Sequence, residues 1–251
     1  MSSWSRHRKL SYALVVLILA IGCIAVPIFF VVYKAPTCTD GVKNGNELGI
    51  DCGGSCQKLC QSAFFAPNVA WTRFEKVSPG LYNVATYIIN PNTNAEAVAV
   101  PYQVSLYDNK GILITEVNGA VSLPPRRNTL AFNGAVSVGS RIPAKALFEF
   151  VSSPEWTVKA DPLGSLQVVD KNYTEDETGS SLTATLKNTA VVPLDNVTVS
   201  AVLYDKDANA LGFSRTIVDE IPAQGTALAP FTWPVSRNGG VVTIEILPVK
   251  E

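Results

Sequence analysis

The stretch VSLYDNKG at Val104–Gly111 recurs as AVLYDKDAN at Ala201–Asn209, about 97 residues later. Three further pairs of blocks follow the same order at nearly the same offset. ATYIINPN at Ala85–Asn92 matches ATLKNTAV at Ala184–Val191, and VSLPPRRNTLAF at Val121–Phe132 matches DEIPAQGTALAPF at Asp219–Phe231. ALFEFV at Ala146–Val151 matches VTIEIL at Val242–Leu247. A chain with this pattern is a duplication of a unit of about 95 residues, too long for a solenoid repeat and suited to a small β-sandwich. Apolar residues alternate at Val98, Val100, Tyr102, Val104 and Leu106, at Val197, Val199, Ala201 and Leu203, and at Leu182, Ala184 and Leu186. Period 2 is the mark of strands with one face in a core. Pro and Gly punctuate the chain every 8–15 residues or so, which sets strand length. The reading is an all-β ectodomain of two tandem sandwiches, over 63–153 and 165–251, each with about seven short antiparallel strands. Ser153–Ser165, with Pro154, Pro162 and Gly164, reads as the connection between them.

Ahead of the repeats lies Ser11–Tyr33, SYALVVLILAIGCIAVPIFFVVY, which carries no charge. As a helix it spans roughly 34 Å, against a hydrocarbon core of about 30 Å. It has no polar face, unlike a soluble core helix, so 11–33 is expected to cross a membrane, with 1–10 as a cytoplasmic tail. Arg6, Arg8 and Lys9 precede it and only Lys34 closely follows. The positive-inside rule then sends the remaining chain out of the cytoplasm. That part holds 17 basic and 21 acidic residues, so its net charge is 17 − 21 = −4. Such a surface is unsuited to anionic lipid and to nucleic acid. An alternative reads Leu19-Ala20-Ile21-Gly22-Cys23 as a lipobox, with Cys23 acylated and the exterior unchanged.

Four of the five cysteines crowd into the segment CTDGVKNGNELGIDCGGSCQKLC, at Cys38, Cys52, Cys56 and Cys60. Outside the cytoplasm they read as two disulfides, with three connectivities open. Beyond Val42, Leu48, Ile50 and Leu59 the segment has almost no apolar side chains, so covalent staples must hold this module, placed at 34–62. Asp40, Asn44, Asn46, Glu47 and Asp51 supply hard oxygens on a Gly-rich loop and form a candidate calcium set, although their spacing is not that of an EF-hand. The plainer reading is that Asp-Gly, Asn-Gly and Gly-Gly close turns. A zinc ribbon would need C-x2-C knuckles, and these are absent.

The positions Cys38, Asp40, Gly41, Asn44, Glu47, Asp51, Cys52, Gly53, Gly54, Cys56 and Cys60 resemble a short cysteine-rich module of secreted and cell-surface proteins of bacteria and archaea. That resemblance implies a compartment and no chemistry; the usual final spacing is C-x2-C, and here three residues separate Cys56 from Cys60. In the repeated Leu-Tyr-Asp, Leu106 and Leu203 should point inward, and Tyr107 and Tyr204 should cover an edge with the hydroxyl wet. Asp108 and Asp205 should accept backbone N–H groups two residues on. The pattern resembles the bacterial FxLYD domain, an immunoglobulin-like sandwich of extracytoplasmic proteins related in style to late-embryogenesis-abundant type 2 domains. It covers roughly Leu81–Phe150 and Ser181–Ile246 and departs where Val104 and Ala201 replace Phe.

No catalytic constellation stands out. The single histidine, His7, precedes the apolar segment, so the exterior can hold no Ser-His-Asp triad and no histidine metal site. Glu175, Asp176 and Glu177 lie together in a polar loop and read as a solvated turn rather than a glycosidase pair. Trp71, Phe74, Trp156, Phe231 and Trp233 are expected to fill cores or the junction between sandwiches; a sugar platform is the alternative. Asn172 and Asn196 head glycosylation sequons. The expectation is a non-catalytic, membrane-anchored scaffold of the cell envelope with a protein partner and no cofactor, and the alternative is an adhesin or carbohydrate binder.

Overall fold

The computed structural model describes residues 3–32 and 37–250; Tyr33 and Lys34, assigned above to the span and its flank, lie outside the described residues. The chain divides into two compact units, Met1–Cys56 and Gln57–Glu251. In the first, helix α1 runs over Ser3–Val32, with Pro27 inside it. Its segment Leu10–Ile28 has a mean hydropathy of 2.5 and is wholly unburied by the rest of the chain, which is what length and composition require of a span or a signal sequence.

The second unit is built of thirteen strands. They are β1 (Asn68–Ser78), β2 (Leu81–Ile89), β3 (Ala95–Tyr107), β4 (Leu113–Leu123), β5 (Asn128–Ser137), β6 (Lys145–Phe150), β7 (Thr157–Val158), β8 (Leu166–Asp176), β9 (Gly179–Asn188), β10 (Leu194–Tyr204), β11 (Ala210–Ile221), β12 (Thr226–Trp233) and β13 (Thr243–Lys250). Their pairings form four antiparallel sheets: β1-β2-β5, β4-β3-β6, β8-β9-β12 and β11-β10-β13. The last two repeat the first two strand for strand, which is the duplication expressed as topology. The first copy is a two-sheet sandwich of seven strands and the second of six. The seventh is short: after β6 the chain bends and lays the two residues of β7 against the start of β3.

Each sandwich has its own core. Val84, Ile88, Val104, Leu106, Leu123 and Trp156 anchor the first. Leu182, Leu186, Val199, Leu203, Phe231 and Trp233 anchor the second. A third core lies between the copies. Ala85, Tyr87 and Leu130, on the outer face of β1-β2-β5, pack with Val202, Phe213 and Leu247 on the outer face of β11-β10-β13. The four sheets are therefore stacked, and the two inner ones are covered on both faces. Strand β10 shows the consequence. Val197, Val199, Ala201 and Leu203 are fully buried as period 2 requires, and Thr198, Ser200 and Val202 on the opposite face are buried too. Strands β3 and β9 keep a more open outer face.

Two expectations are corrected by this packing. The alternation in β3 fails at Val98, which is 59% exposed, because a bulge between Ala97 and Val100 with Ala99 at φ 49° turns Ala97 inward instead. The connection Ser153–Ser165 packs against both cores. Trp156 is buried in the first core and Leu163 in the second, and Arg127 Nε binds Asp161 at 2.8 Å beside them. The register of the sequence blocks also shifts. Asn90 and Asn188 occupy equivalent strand ends, so Thr86 rather than Ala85 corresponds to Ala184.

Candidate functional site

Within the cysteine-rich module, Cys38 bonds Cys56 with a Cα–Cα distance of 5.7 Å. Cys52 and Cys60 are also disulfide-bonded, and among the described residues Cys23, exposed on α1, is the free cysteine. The acidic side chains close turns. Asp51 accepts the N–H groups of Asp40 (2.9 Å) and Gly41 (2.9 Å), and Asp40 accepts that of Val42 (3.0 Å) and the Asn44 side-chain amide (2.9 Å). Glu47 accepts the Asn44 N–H at 3.2 Å, and its other oxygen lies 3.4 Å from Cys56 Sγ, a disulfide sulfur with no proton to donate. Gly54 sits at φ +63°, where a Cβ would come within 1.7 Å of the Asn46 carbonyl oxygen, so only glycine fits. Calcium takes six to eight oxygens. Here Asp40, Glu47 and Asp51 accept backbone N–H groups, the turn-closing role, and within the set Asn44 Oδ1 is buried without a hydrogen-bond partner. Cys38, Glu47 and Cys56 converge within 4.8 Å, but oxidised sulfurs offer no thiolate to a metal.

The repeated Leu-Tyr-Asp behaves as its chemistry dictates at two of three positions. Leu106 and Leu203 are fully buried. Asp108 accepts the N–H groups of Lys110 and Ile112, both at 2.9 Å, and Asp205 those of Asp207 (2.9 Å) and Asn209 (2.8 Å). Tyr204 departs: its ring joins the third core and its hydroxyl donates to Glu245 at 3.1 Å rather than to water. The loop acids are structural as well. Glu175 accepts from the Ser236 hydroxyl (2.7 Å), the Gly239 N–H (3.2 Å) and the Arg237 N–H, and Asp176 caps its own turn through Thr178 and Gly179. The Ser236 bond holds the Glu175 carboxyl below its usual range.

None of the five aromatic candidates forms a platform. Phe74 and Trp156 pack in the first core, Phe231 and Trp233 in the second, and Trp71 in the third, with Tyr87 and Phe213 at ring distances of 5.5 and 6.4 Å. Open clefts of about 310, 350 and 400 Å³ remain along the sheets. The last of these is flanked by Glu96, Lys159 and Lys250, and Lys159 Nζ is tied to Glu96 at 2.8 Å.

The most concentrated polar chemistry frames the third core. Glu245 accepts from Tyr87 (2.7 Å) and Tyr204 (3.1 Å), and the Asn128 amide donates to the Tyr87 hydroxyl at 2.7 Å. Glu75 of the first copy pairs with Arg237 of the second and accepts the Phe213 N–H at 3.3 Å. Burial pushes the Glu75 carboxyl up, against the pull of Arg237. Burial, reinforced by Glu245, pushes both phenols above their ordinary value near 10. A folded-state pKa above the unfolded one contributes stability that is complete below pH 10 and lost as pH climbs toward the folded value. Absorbance titration at 295 nm should therefore show a late tyrosinate component that coincides with unfolding. Tyr87→Phe and Tyr204→Phe should each shrink it. Early ionisation of these two phenols with the sheets intact would contradict the arrangement.

No protein-family model and no curated protein matches the chain. Among solved structures, similarity is found to a β-glucuronidase from glycoside hydrolase family 2, at 9% identity and TM-score 0.25, over 87% of this chain and 29% of that one. The N-terminal CBM22-1-CBM22-2 tandem domain of Paenibacillus barcinonensis Xyn10C is similar at 8% identity and TM-score 0.17, over 74% of this chain and 91% of that one. The chain thus spans under a third of the glucuronidase, and at these scores neither likeness carries an argument about activity.

Proposed function

We propose that the protein is a non-catalytic scaffold of the cell envelope. In this reading α1 anchors it with the N-terminus in the cytoplasm and the disulfide module and both sandwiches outside, and the sandwiches act by protein–protein contact. The observation that carries it is the third core: two copies of one sandwich are joined through a buried sheet-on-sheet face, which fixes one copy against the other. The groups that chemistry would need are committed elsewhere, the acids to turns and the aromatics to cores. The FxLYD resemblance accords with an extracytoplasmic place. Sheet-edge strands such as β13, where Lys171 Nζ occupies the Ile244 carbonyl, offer backbone to a partner strand. Trp233 is buried and Trp71 is half-buried against the third core, which counts against an open aromatic platform.

The test is a cross-linked pull-down of the full chain from its native membrane, read by mass spectrometry. Stoichiometric recovery of envelope components is the expected result. Recovery of the intact chain alone would count against a stable assembly. The intact mass from the same sample distinguishes an uncleaved anchor from a chain beginning at acylated Cys23.

A further inference from the structure

The cysteine-rich module exposes the apolar side chains it has least structural use for. Of its four aliphatic residues, Leu59 packs against the first core. Val42, Leu48 and Ile50 remain 58%, 68% and 63% exposed. A module stapled by disulfides does not need them as a core, and water gains nothing from them. They also lie on turns fastened together. Leu48 and Gly49 donate their N–H groups to the Cys52 carbonyl, both at 3.1 Å, which closes the turn that carries Ile50 and Asp51. The Asp51 carboxylate then grips the N–H groups of Asp40 and Gly41, immediately before Val42.

The covalent chain fixes how far this tip can be from the bilayer. The uncharged stretch that begins at Ser11 continues through Phe29, Phe30, Val31 and Val32, where α1 ends. On the anchored reading Val32 therefore lies near the edge of the hydrocarbon core, and the headgroup layer beyond it is roughly 5–7 Å deep. Thr37, where the described module begins, follows five residues later, so it lies at most about 18 Å from Val32. Attraction to anionic lipid is not the force, because Asp40, Glu47 and Asp51 outnumber Lys43 between Cys38 and Cys56. Apolar contact is.

We propose that Val42, Leu48 and Ile50 seat the module in the headgroup–acyl boundary of the outer leaflet, with the bilayer surface as their ligand. This rests on the anchored reading above. The test places p-benzoyl-phenylalanine singly at positions 48 and 50 of the full chain in its own membrane, followed by irradiation and mass spectrometry. Position 19, inside the apolar segment, is the positive control. Position 228, where Leu228 is 62% exposed on the second sandwich, is the negative one. Phospholipid adducts at 19, 48 and 50 but not at 228 are expected. Adducts at 19 alone, or protein adducts in place of lipid at 48 and 50, overturn this proposal and leave the anchor intact. Absence of lipid adducts at 19 overturns the anchor itself. As a check that does not depend on a bulky label, Leu48→Ser with Ile50→Ser should retain both disulfides and raise amide exchange across the module in lipid nanodiscs. Unchanged exchange counts against the proposal.

Discussion

Removal of the Phe213 ring by Phe213→Ala is expected to split one unfolding transition into two. Phe213 is 1% exposed and lies in the third core, with the Phe132 ring edge-on at 6.3 Å and the Trp71 ring at 6.4 Å. Loss of a buried phenylalanine ring costs about 3–5 kcal/mol. Here the loss falls on the contact between the sandwiches and not on either core, because Phe213 projects from β11 toward the first copy. Each sandwich keeps its own set of buried residues and should fold without the other. Phe231→Ala is the matched control. It removes the same ring from the second core, at 2% exposure, and should lower the stability of the second sandwich without separating the two. Scanning calorimetry of the unit Gln57–Glu251 decides between them. A single transition for Phe213→Ala, displaced no more than by a surface substitution, would show that the third core does not couple the copies.

That coupling is where sequence reasoning reached its limit. Period 2 is legible when one face of a strand meets water, as in β9, where Leu182, Ala184 and Leu186 are buried and Thr183 and Thr185 are not. It is less legible where both faces are covered. Ala85 and Tyr87 look like ordinary outward residues of β2, and only a second sheet arriving from the other copy buries them. The same cause shifted the block comparison. Phe132 and Phe231 match by letter, yet Phe132 faces the junction, under the Arg215 guanidinium at 5.4 Å, and Phe231 faces the second core. Local turn chemistry was legible in full, since the Asp108 and Asp205 bonds depend only on the next four residues. The number of cysteines implied disulfides, whereas their connectivity depends on how the turns of the module fold back on one another, and that is not written in spacing. Val98 misled because a bulge is a backbone event with no side-chain signature: Ala99 takes a left-handed conformation in the first copy and Asn196 does so in the second.

The largest polar feature missed by sequence is the pair of buried asparagines, and its removal should be nearly as damaging as loss of the Phe213 ring. Asn90 and Asn188 sit at strand ends, and nothing in the sequence patterning sets them apart. In the structure each is the knot of its sandwich. The Asn90 amide donates to the carbonyls of Ala95 (3.0 Å), Leu123 (3.1 Å) and Pro124 (2.8 Å), and its oxygen accepts the Asn92 N–H at 3.0 Å. Asn188 does the same in the second copy, donating to Val192 (2.7 Å) and Ile221 (3.3 Å) and accepting the Ala190 N–H at 2.9 Å. Each ties the end of one sheet to the opposite sheet, so its bonds cannot be replaced by the ladder. A buried polar group left unpaired costs about 1–3 kcal/mol. Asn188→Ala removes the partner of two carbonyls, one N–H and the Ser165 hydroxyl, so a loss of roughly 3–5 kcal/mol is expected. Asn188→Asp keeps the size and the acceptor but loses the donors and places a carboxylate opposite two carbonyls. Its folded-state pKa must rise above the unfolded value, so its deficit should be smallest at acid pH and deepen as pH climbs through the folded value. Urea unfolding at pH 4 and pH 7 reads both effects. An Asn188→Ala loss below about 1 kcal/mol, within the range of a single ordinary hydrogen bond, would mean that water takes over the bonds and that the asparagine is a turn residue.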